Sequence, residues 1–439
     1  MKPEQLALLS GSLLVLVAAG CGDEPQSSQN PGGGSNASAG ATSLGGAIGS
    51  ATSAAGASGS ATAAGTATIG GQQTQAGTGS GVGGASSGSN NGGSAPVAGS
   101  AGSSAGKAGG TSGPISSAVA AWPGKNDVKT LDQAAQFKSD LSGLVFEPGQ
   151  QGAPGVLWAV NNLSSSLFRL VPSGAGFVPD TANGWGSGKG LRYPGGSGAP
   201  DSEGVTFGAS VADGMYVCSE HDGDNASTSR LSVLRYDVSG AGTTLTATRE
   251  WNVTALLPKA EANAGLEGIT WVPDSFLTGK GFVDEAKQHA YAPAEYPDHG
   301  AGLFFVGVEE TGKVYGLALN HADGSSKLVA TITTPNDGVM GLEFDRDAGN
   351  FWFNCDDGCD NQSGILDVDT RAGSATLGHF VVRRQFQRPS SLADSNNEGI
   401  AIAPDSECSG GFKRFFWTDD ADEDSFSLRT DLIPCTPCL

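Results

Sequence analysis

Positive charge is scarce in this chain: 24 Lys and Arg stand against 45 Asp and Glu, a formal net charge of −21. That balance argues against nucleic acid as a partner and favours cations. Aromatic residues are absent from Gly22 to Pro114, where Gly, Ser, Ala, Thr and Asn make up almost everything and Asp23, Glu24 and Lys107 are the only charges. A segment so poor in apolar groups cannot bury enough surface to offset its ordering entropy. Residues 21–115 are therefore expected to form a disordered tether, and a flexible coil of about 90 residues has an r.m.s. span of roughly 50 Å. Histidine is also scarce, with five in all, and none lies beside the pairs Cys355/Cys359 and Cys435/Cys438. Their spacings would suit zinc, but disulfides are the favoured reading in an exported chain. No Ser–His–acid set or nucleophile elbow stands out in the globular part, which counts against covalent hydrolysis.

The N-terminus carries Lys2, an apolar run from Leu6 to Val17 and small residues before Cys21. Residues 1–20 read as a secretory signal, the run being too short for a transmembrane span. Ala18-Ala19-Gly20-Cys21 resembles the lipobox of bacterial lipoproteins, in which the cysteine is acylated. Cys21 is therefore the expected lipidation site and the membrane an expected partner. No Asp follows Cys21, so the expected location is the cell envelope at the outer membrane or cell surface rather than the inner membrane.

Residues 116–439 hold nearly all of the negative charge, because only Glu4, Asp23 and Glu24 among the acids precede them. Cys218, Cys355, Cys359, Cys408, Cys435 and Cys438 are disulfide candidates, and six cysteines leave fifteen connectivities open.

A five-fold repeat runs through this region: "SGLVF" at Gly143, "EGVTF" at Gly204, "EGITW" at Gly268, "MGLEF" at Gly341 and "EGIAI" at Gly399, at intervals of 61, 64, 73 and 58 residues. Each copy leads to an aromatic-rich strand that ends in polar residues: "LWAVNN", "MYVCSE", "FFVGVE", "FWFNCD" and "FFWTD". A period near 60 residues holding four short strands predicts an all-β fold, a β-propeller, because one such sheet cannot cover both its faces alone. Five blades are expected. A sixth, degenerate blade remains open, since residues 116–140 could supply either that blade or a closing outer strand. The extra length of the third copy is an insertion between its first and second strands.

In a propeller the innermost strands start at one face of the ring and the second strands return to it. Glu203, Glu267 and Glu398 should thus meet Glu220, Glu309, Asp356 and Asp419 around the mouth of a central channel, where mutual repulsion demands cations or raised pKa values. The last four are candidate metal ligands. Glu203, Glu267 and Glu398 are candidate catalytic carboxylates, with His221, beside Glu220, as a candidate acid or base.

The motifs "LSGLVFEP", "DSEGVTF", "LEGITW", "LEFDRDAGNFWFNCDD" and "NNEGIAIAP" followed by "FFWTDD" resemble those of secreted bacterial propellers of the phytase-like ("esterase-like activity of phytase") and SdiA-regulated group, over about residues 141–420. The resemblance implies calcium-dependent phosphoester hydrolysis or carboxylester hydrolysis, so Ca²⁺ is the expected cofactor and a small ester the expected substrate. Many members of the group have no demonstrated reaction, and the alternative is a non-catalytic propeller binding a small ligand or protein. Ser142 and Met340 replace Glu in two copies, so any site is asymmetric. Arg192, Lys259 and Arg388 precede the three Glu-Gly pairs and are candidate substrate-phosphate ligands. Asp420, Asp422, Asp424 and Asp431 have partial EF-hand spacing, but Ser425 stands where that loop needs glycine and a looser calcium site is expected instead. "GWGSGKG" at 184–190 lacks the spacing of a phosphate loop. A monomer is expected.

Overall fold

The computed structural model describes residues 118–261, 263–420 and 423–435. Cys21, the signal and tether stretches, Asp422 and Cys438 lie outside the described residues.

The described residues form five mainly antiparallel sheets set around one axis, a five-bladed β-propeller. The innermost strands are Leu141–Glu147, Pro200–Phe207, Leu266–Pro273, Gly341–Asp345 and Asn397–Ile402, one per repeat copy. Each pairs with the aromatic-rich strand that follows it, as in Phe353 opposite Leu342 and Trp417 opposite Ile400. The insertion of blade 3 lies between Leu266–Pro273 and Gly302–Val308, as the repeat length requires. It holds Asp274–Lys280, the one α-helix among the described residues, and packs Phe282, Tyr291 and Tyr296 against the core.

The alternating aromatics follow from a blade having neighbours on both faces. In blade 4, Phe351 and Phe353 pack toward blade 3 with Phe305, whereas Trp352 between them packs toward blade 5 with Phe415 and Trp417. In blade 5, Phe416 turns to the other side and joins Phe146 and Phe177 of blade 1. Tyr216, Trp251, Trp271 and Phe304 fill the gap between blades 2 and 3, and Trp158, Trp185, Val205 and Met215 that between blades 1 and 2. The core is thus five interblade wedges.

Residues before the first repeat form no sixth blade. Lys129–Thr130 adds antiparallel to Leu428–Pro434 as the outer strand of blade 5, and Val119–Ala120 runs parallel to Phe380–Phe386 at the edge of blade 4. The ring is therefore closed by the chain's own earlier segment.

The expected central channel is also absent. A Cβ on Gly204 would stand 2.7 Å from both Cys218 Sγ and Glu267 O, and one on Gly268 would meet Leu342 N at 3.0 Å. Gly143, Gly341 and Gly399 make equally close approaches to the next inner strand, ending with Gly399 against Ser142 and Gly143. Five strands crowd the axis so closely that only glycine fits at this level. What remains there is a void of about 10 Å³.

Among the described residues two cysteine bridges are present, Cys355–Cys359 and Cys408–Cys435. Cys435 thus pairs with Cys408, across the edge of blade 5, rather than with its near neighbour Cys438. The disulfide candidate Cys218 is instead a free, buried thiol. It faces the wedge between blades 2 and 3, where its Sγ lies 3.5 Å from Glu267 O and no second cysteine among the described residues is at hand.

Candidate functional site: a buried carboxylate cluster on the axis

Above the glycine plug, Glu203, Glu267 and Glu398 come from three different blades and bring one carboxylate oxygen each within 4.8 Å of one another. All three are buried, at 3 %, 5 % and 6 % exposure. The Glu-Gly pairing explains this placement: each glycine lets its strand reach the axis, and the residue before it is carried onto the end of the plug.

Ser142, which replaces Glu in the first copy, lies between two of them. Its Oγ is 2.8 Å from Oε2 of Glu203 and 2.8 Å from Oε2 of Glu398. A hydroxyl donates one hydrogen, so the second carboxyl must either be protonated and donate to Ser142 or share a cation with it. Asn162 Nδ2 lies 3.3 Å from Glu203 Oε1, and Asn396 Nδ2 donates to Glu398 Oε1 at 3.0 Å. Burial, followed by repulsion from Asp201, Glu398 and Glu220, holds the Glu203 carboxyl well above the usual range. Burial raises Glu267 likewise, with Glu203 and Glu220 next, and Glu398 with Asp420 next.

A second group adjoins the first. His221 Nδ1 is 2.7 Å from Asp201 Oδ2 and 3.2 Å from Glu220 Oε1. Glu220 also accepts the Gly265 amide at 2.8 Å, and its charge is among those that raise the Glu267 carboxyl, so the two groups are electrostatically continuous. Burial pushes Glu220 up to about 8 and raises Asp201. Asp420, which hydrogen-bonds Asn396, is pushed up to about 6 by burial and then by Asp140.

The remaining sequence candidates divide. Burial raises the carboxyls of Glu309 and Asp356, each repelled by a neighbouring acid, and both contribute repulsion to Glu398. Asp419, fully buried, is ion-paired with Arg429 at 2.8 Å and accepts from Ser395 Oγ. Arg388 is tied to Asp394 and the Leu392 carbonyl, Arg192 donates to the Leu191 carbonyl, and Lys259 is exposed on the connection into blade 3. Among the described residues none of these three bases pairs with the glutamate cluster. Asp431 is committed to the indole of Trp122 and the Asn126 amide, which removes it from any EF-hand-like site. Lys189 of "GWGSGKG" is buried and stacks over Trp185 at 4.0 Å.

Asp201 stands two residues before Glu203 in "DSEGVTF" but outside the recurrent Glu-Gly pair, and Ser142, which the repeat marks only as a lost glutamate, bridges two carboxylates.

The donor set suits a hard cation. Three oxygens mutually within 4.8 Å can all lie within about 2.8 Å of one point, near the Ca–O distance of about 2.3–2.6 Å. Ser142 Oγ is a further oxygen donor at the rim, the Asn162 and Asn396 side chains turn N–H groups to the carboxylates, and His221 is the one basic side chain within 4 Å of the adjoining acids Asp201 and Glu220 among the described residues.

Fold and site define a five-bladed propeller with an acidic axial face. No family model matches the chain, and no curated protein does. Solved structures similar to it include the glutaminyl cyclase of Myxococcus xanthus, with 13% identity, a TM-score of 0.35, and coverage of 70% of this chain and 95% of that one. Another is the PQQ-bound aldose sugar dehydrogenase of Streptomyces coelicolor, with 13% identity, a TM-score of 0.35, and coverage of 70% and 98%. Likeness at this level carries nothing about reaction or ligand.

Proposed function

We propose that the protein binds a divalent cation, Ca²⁺ by the chemistry of its donors, at the axial carboxylate cluster, and presents that face from a tether anchored in the cell envelope through Cys21. The observation that carries this is the convergence of Glu203, Glu267 and Glu398 with no arginine or lysine paired to them among the described residues. Three buried carboxylates in a loop-capping role would each find backbone amides, whereas Glu203 and Glu398 find a shared serine and amide side chains, and all three lie against one another.

The resemblance to phytase-like propellers extends the reading to cation-assisted ester hydrolysis, and the group Asp201–His221–Glu220 supports it. A bound cation would supply Lewis acidity and lower the pKa of a coordinated water. His221, held at Nδ1 between two carboxylates, is placed to hold or pass a proton beside the cluster. The scattered positions of Arg192, Lys259 and Arg388 favour the non-catalytic alternative, a cation-dependent binding face, over a phosphate-clamping one.

Calorimetric titration of the full-length protein with CaCl₂ tests the cation site, with Glu203→Gln/Glu398→Gln as the paired variant. The wild type is expected to bind, and the variant, which keeps an acceptor at each position but loses two charges, to bind at least about tenfold more weakly. Wild-type affinity in the variant, or no binding by either, defeats the proposal. Turnover of p-nitrophenyl phosphate or p-nitrophenyl acetate that is abolished by chelation would select the hydrolytic branch.

A further inference from the structure

The same strand direction that gathers the glutamates at one end of the axis gathers Phe146, Phe207, Phe344 and Ile402 at the other. There they wall a cavity of about 260 Å³, below the common range of about 300–1,000 Å³ for pockets that hold drug-sized ligands, so its ligand is small. Five charged residues line it: Glu147, Glu343, Asp345, Arg346 and Asp347.

Four of the five are satisfied by the protein. Glu147 accepts the Trp158 indole N–H at 2.8 Å, and Asp345 accepts Lys413 Nζ at 2.7 Å. Asp347 accepts the Asp405 amide at 2.6 Å. Arg346 donates to the carbonyls of Gly208 and Phe207, both at 2.8 Å, with its guanidinium 4.3 Å above the Phe207 ring. Glu343 has no hydrogen-bond or ion-pair partner among the described residues, yet it is only 8 % exposed. Burial pushes its carboxyl up to about 8 even though Arg346 and Lys413 both draw it down.

The repeat shows that the fold does not ask for a carboxyl here. Two residues after the axial glycine the other blades carry Val145, Thr206, Thr270 and Ala401. A lone buried carboxyl at a position where apolar or small residues serve the fold is unfavourable unless something from outside meets it.

We propose that this cavity binds a small aliphatic amine, with the ammonium group on Glu343 and the alkyl stem against Phe146, Phe207 and Phe344. An anion finds no free cationic donor among the described residues, because Arg346 is committed to carbonyls, and it meets four acidic side chains. A metal ion would find one uncommitted carboxylate where it needs several oxygen ligands. An ammonium gains an ionic hydrogen bond and aromatic faces, and the walls accept its methylenes.

The test is calorimetry of the full-length protein with n-pentylamine, 1-pentanol and pentanoate, in the presence of chelator so that the outcome is independent of the axial cation site. Pentylamine is expected to bind, with pentanol and pentanoate at least about tenfold weaker, and Glu343→Gln, which keeps the side-chain volume, to lose about tenfold or more of the amine affinity. The ligand series in the wild type stands even if the variant folds poorly. Equal binding of amine and alcohol, unchanged amine affinity in Glu343→Gln, or no amine binding overturns the proposal.

Discussion

At the scale of single residues, Ser142 changes what the carboxylates can be. One hydroxyl proton cannot fully serve both Glu203 and Glu398, and burial and repulsion raise all three glutamates and push Glu220 up to about 8, so the cation-free cluster favours holding protons. In the unfolded chain these groups titrate near 4.5. The folded protein therefore binds more protons than the unfolded one between that value and the raised folded values. Their stabilising contribution is complete below about pH 4.5 and is lost as pH rises through the folded pKa values. In chelator, the melting temperature is expected to fall from pH 5 to pH 8, each group contributing at most about 1.4 kcal/mol per pH unit. Added Ca²⁺ should restore it most at the alkaline end, where the carboxylates are free of protons. Calorimetric melts across that window check the sign, and a melting temperature that climbs with pH in chelator would contradict it. The recurrent Glu before Gly was legible in the sequence because both lie in one strand. Asn162 and the bridging part played by Ser142 were not, because their partners come from other blades, and Asp201 was not, because it meets His221 on the paired strand of its own blade outside the recurrent Glu-Gly pattern.

At the scale of elements, the inner strand is defined by its glycine and by apolar residues pointing both ways. Both marks were legible, and aromatics on alternate faces of "FWF" and "FFW" in the paired second strands likewise fit only a sheet covered on two sides. The closure of the axis was not, because a recurrent glycine signals close approach without saying how many strands approach. Packing now fixes the expected cost of disturbing it. A Cβ on Gly399 would overlap the Ser142 carbonyl and lie 2.6 Å from Thr418 Oγ1 and 2.9 Å from Gly143 Cα. Because these are largely backbone atoms, Gly399→Ala should destabilise the protein by about 2–3 kcal/mol in urea unfolding. Gly208 ends the second inner segment without such crowding, its added Cβ meeting Asp213 Cβ at 3.8 Å, so Gly208→Ala should stay within about 1 kcal/mol of wild type. Equal effects at the two sites would mean that the axis can relax and that the plug is not tightly packed.

At the scale of the whole molecule, a ring must join its last blade to its first, and the join uses residues far apart in sequence. Lys129–Thr130 completes blade 5, and Trp122, 9 % exposed, sits between blades 4 and 5 with ring centroids 5.3 Å from both Phe415 and Trp417. Its indole donates to Asp431 Oδ2 at 2.8 Å across a separation of 309 residues. The sequence left this segment open between an outer strand and a sixth blade because two-residue strands carry no periodicity. Two substitutions separate its packing from its hydrogen bond. Trp122→Ala removes a large side chain from an interblade wedge and is expected to cost about 3–5 kcal/mol. Trp122→Phe keeps a ring in place and leaves Asp431 with the Asn126 and Asp127 amides, so its expected cost is nearer 1–2 kcal/mol. If the segment closes the ring, both variants should unfold in one transition with the wild-type urea dependence, since opening the join exposes wedges on both sides of it. A Trp122→Ala midpoint within about 0.5 kcal/mol of wild type, or an early separate transition confined to residues 118–140, would show instead that the ring holds without its N-terminal clasp.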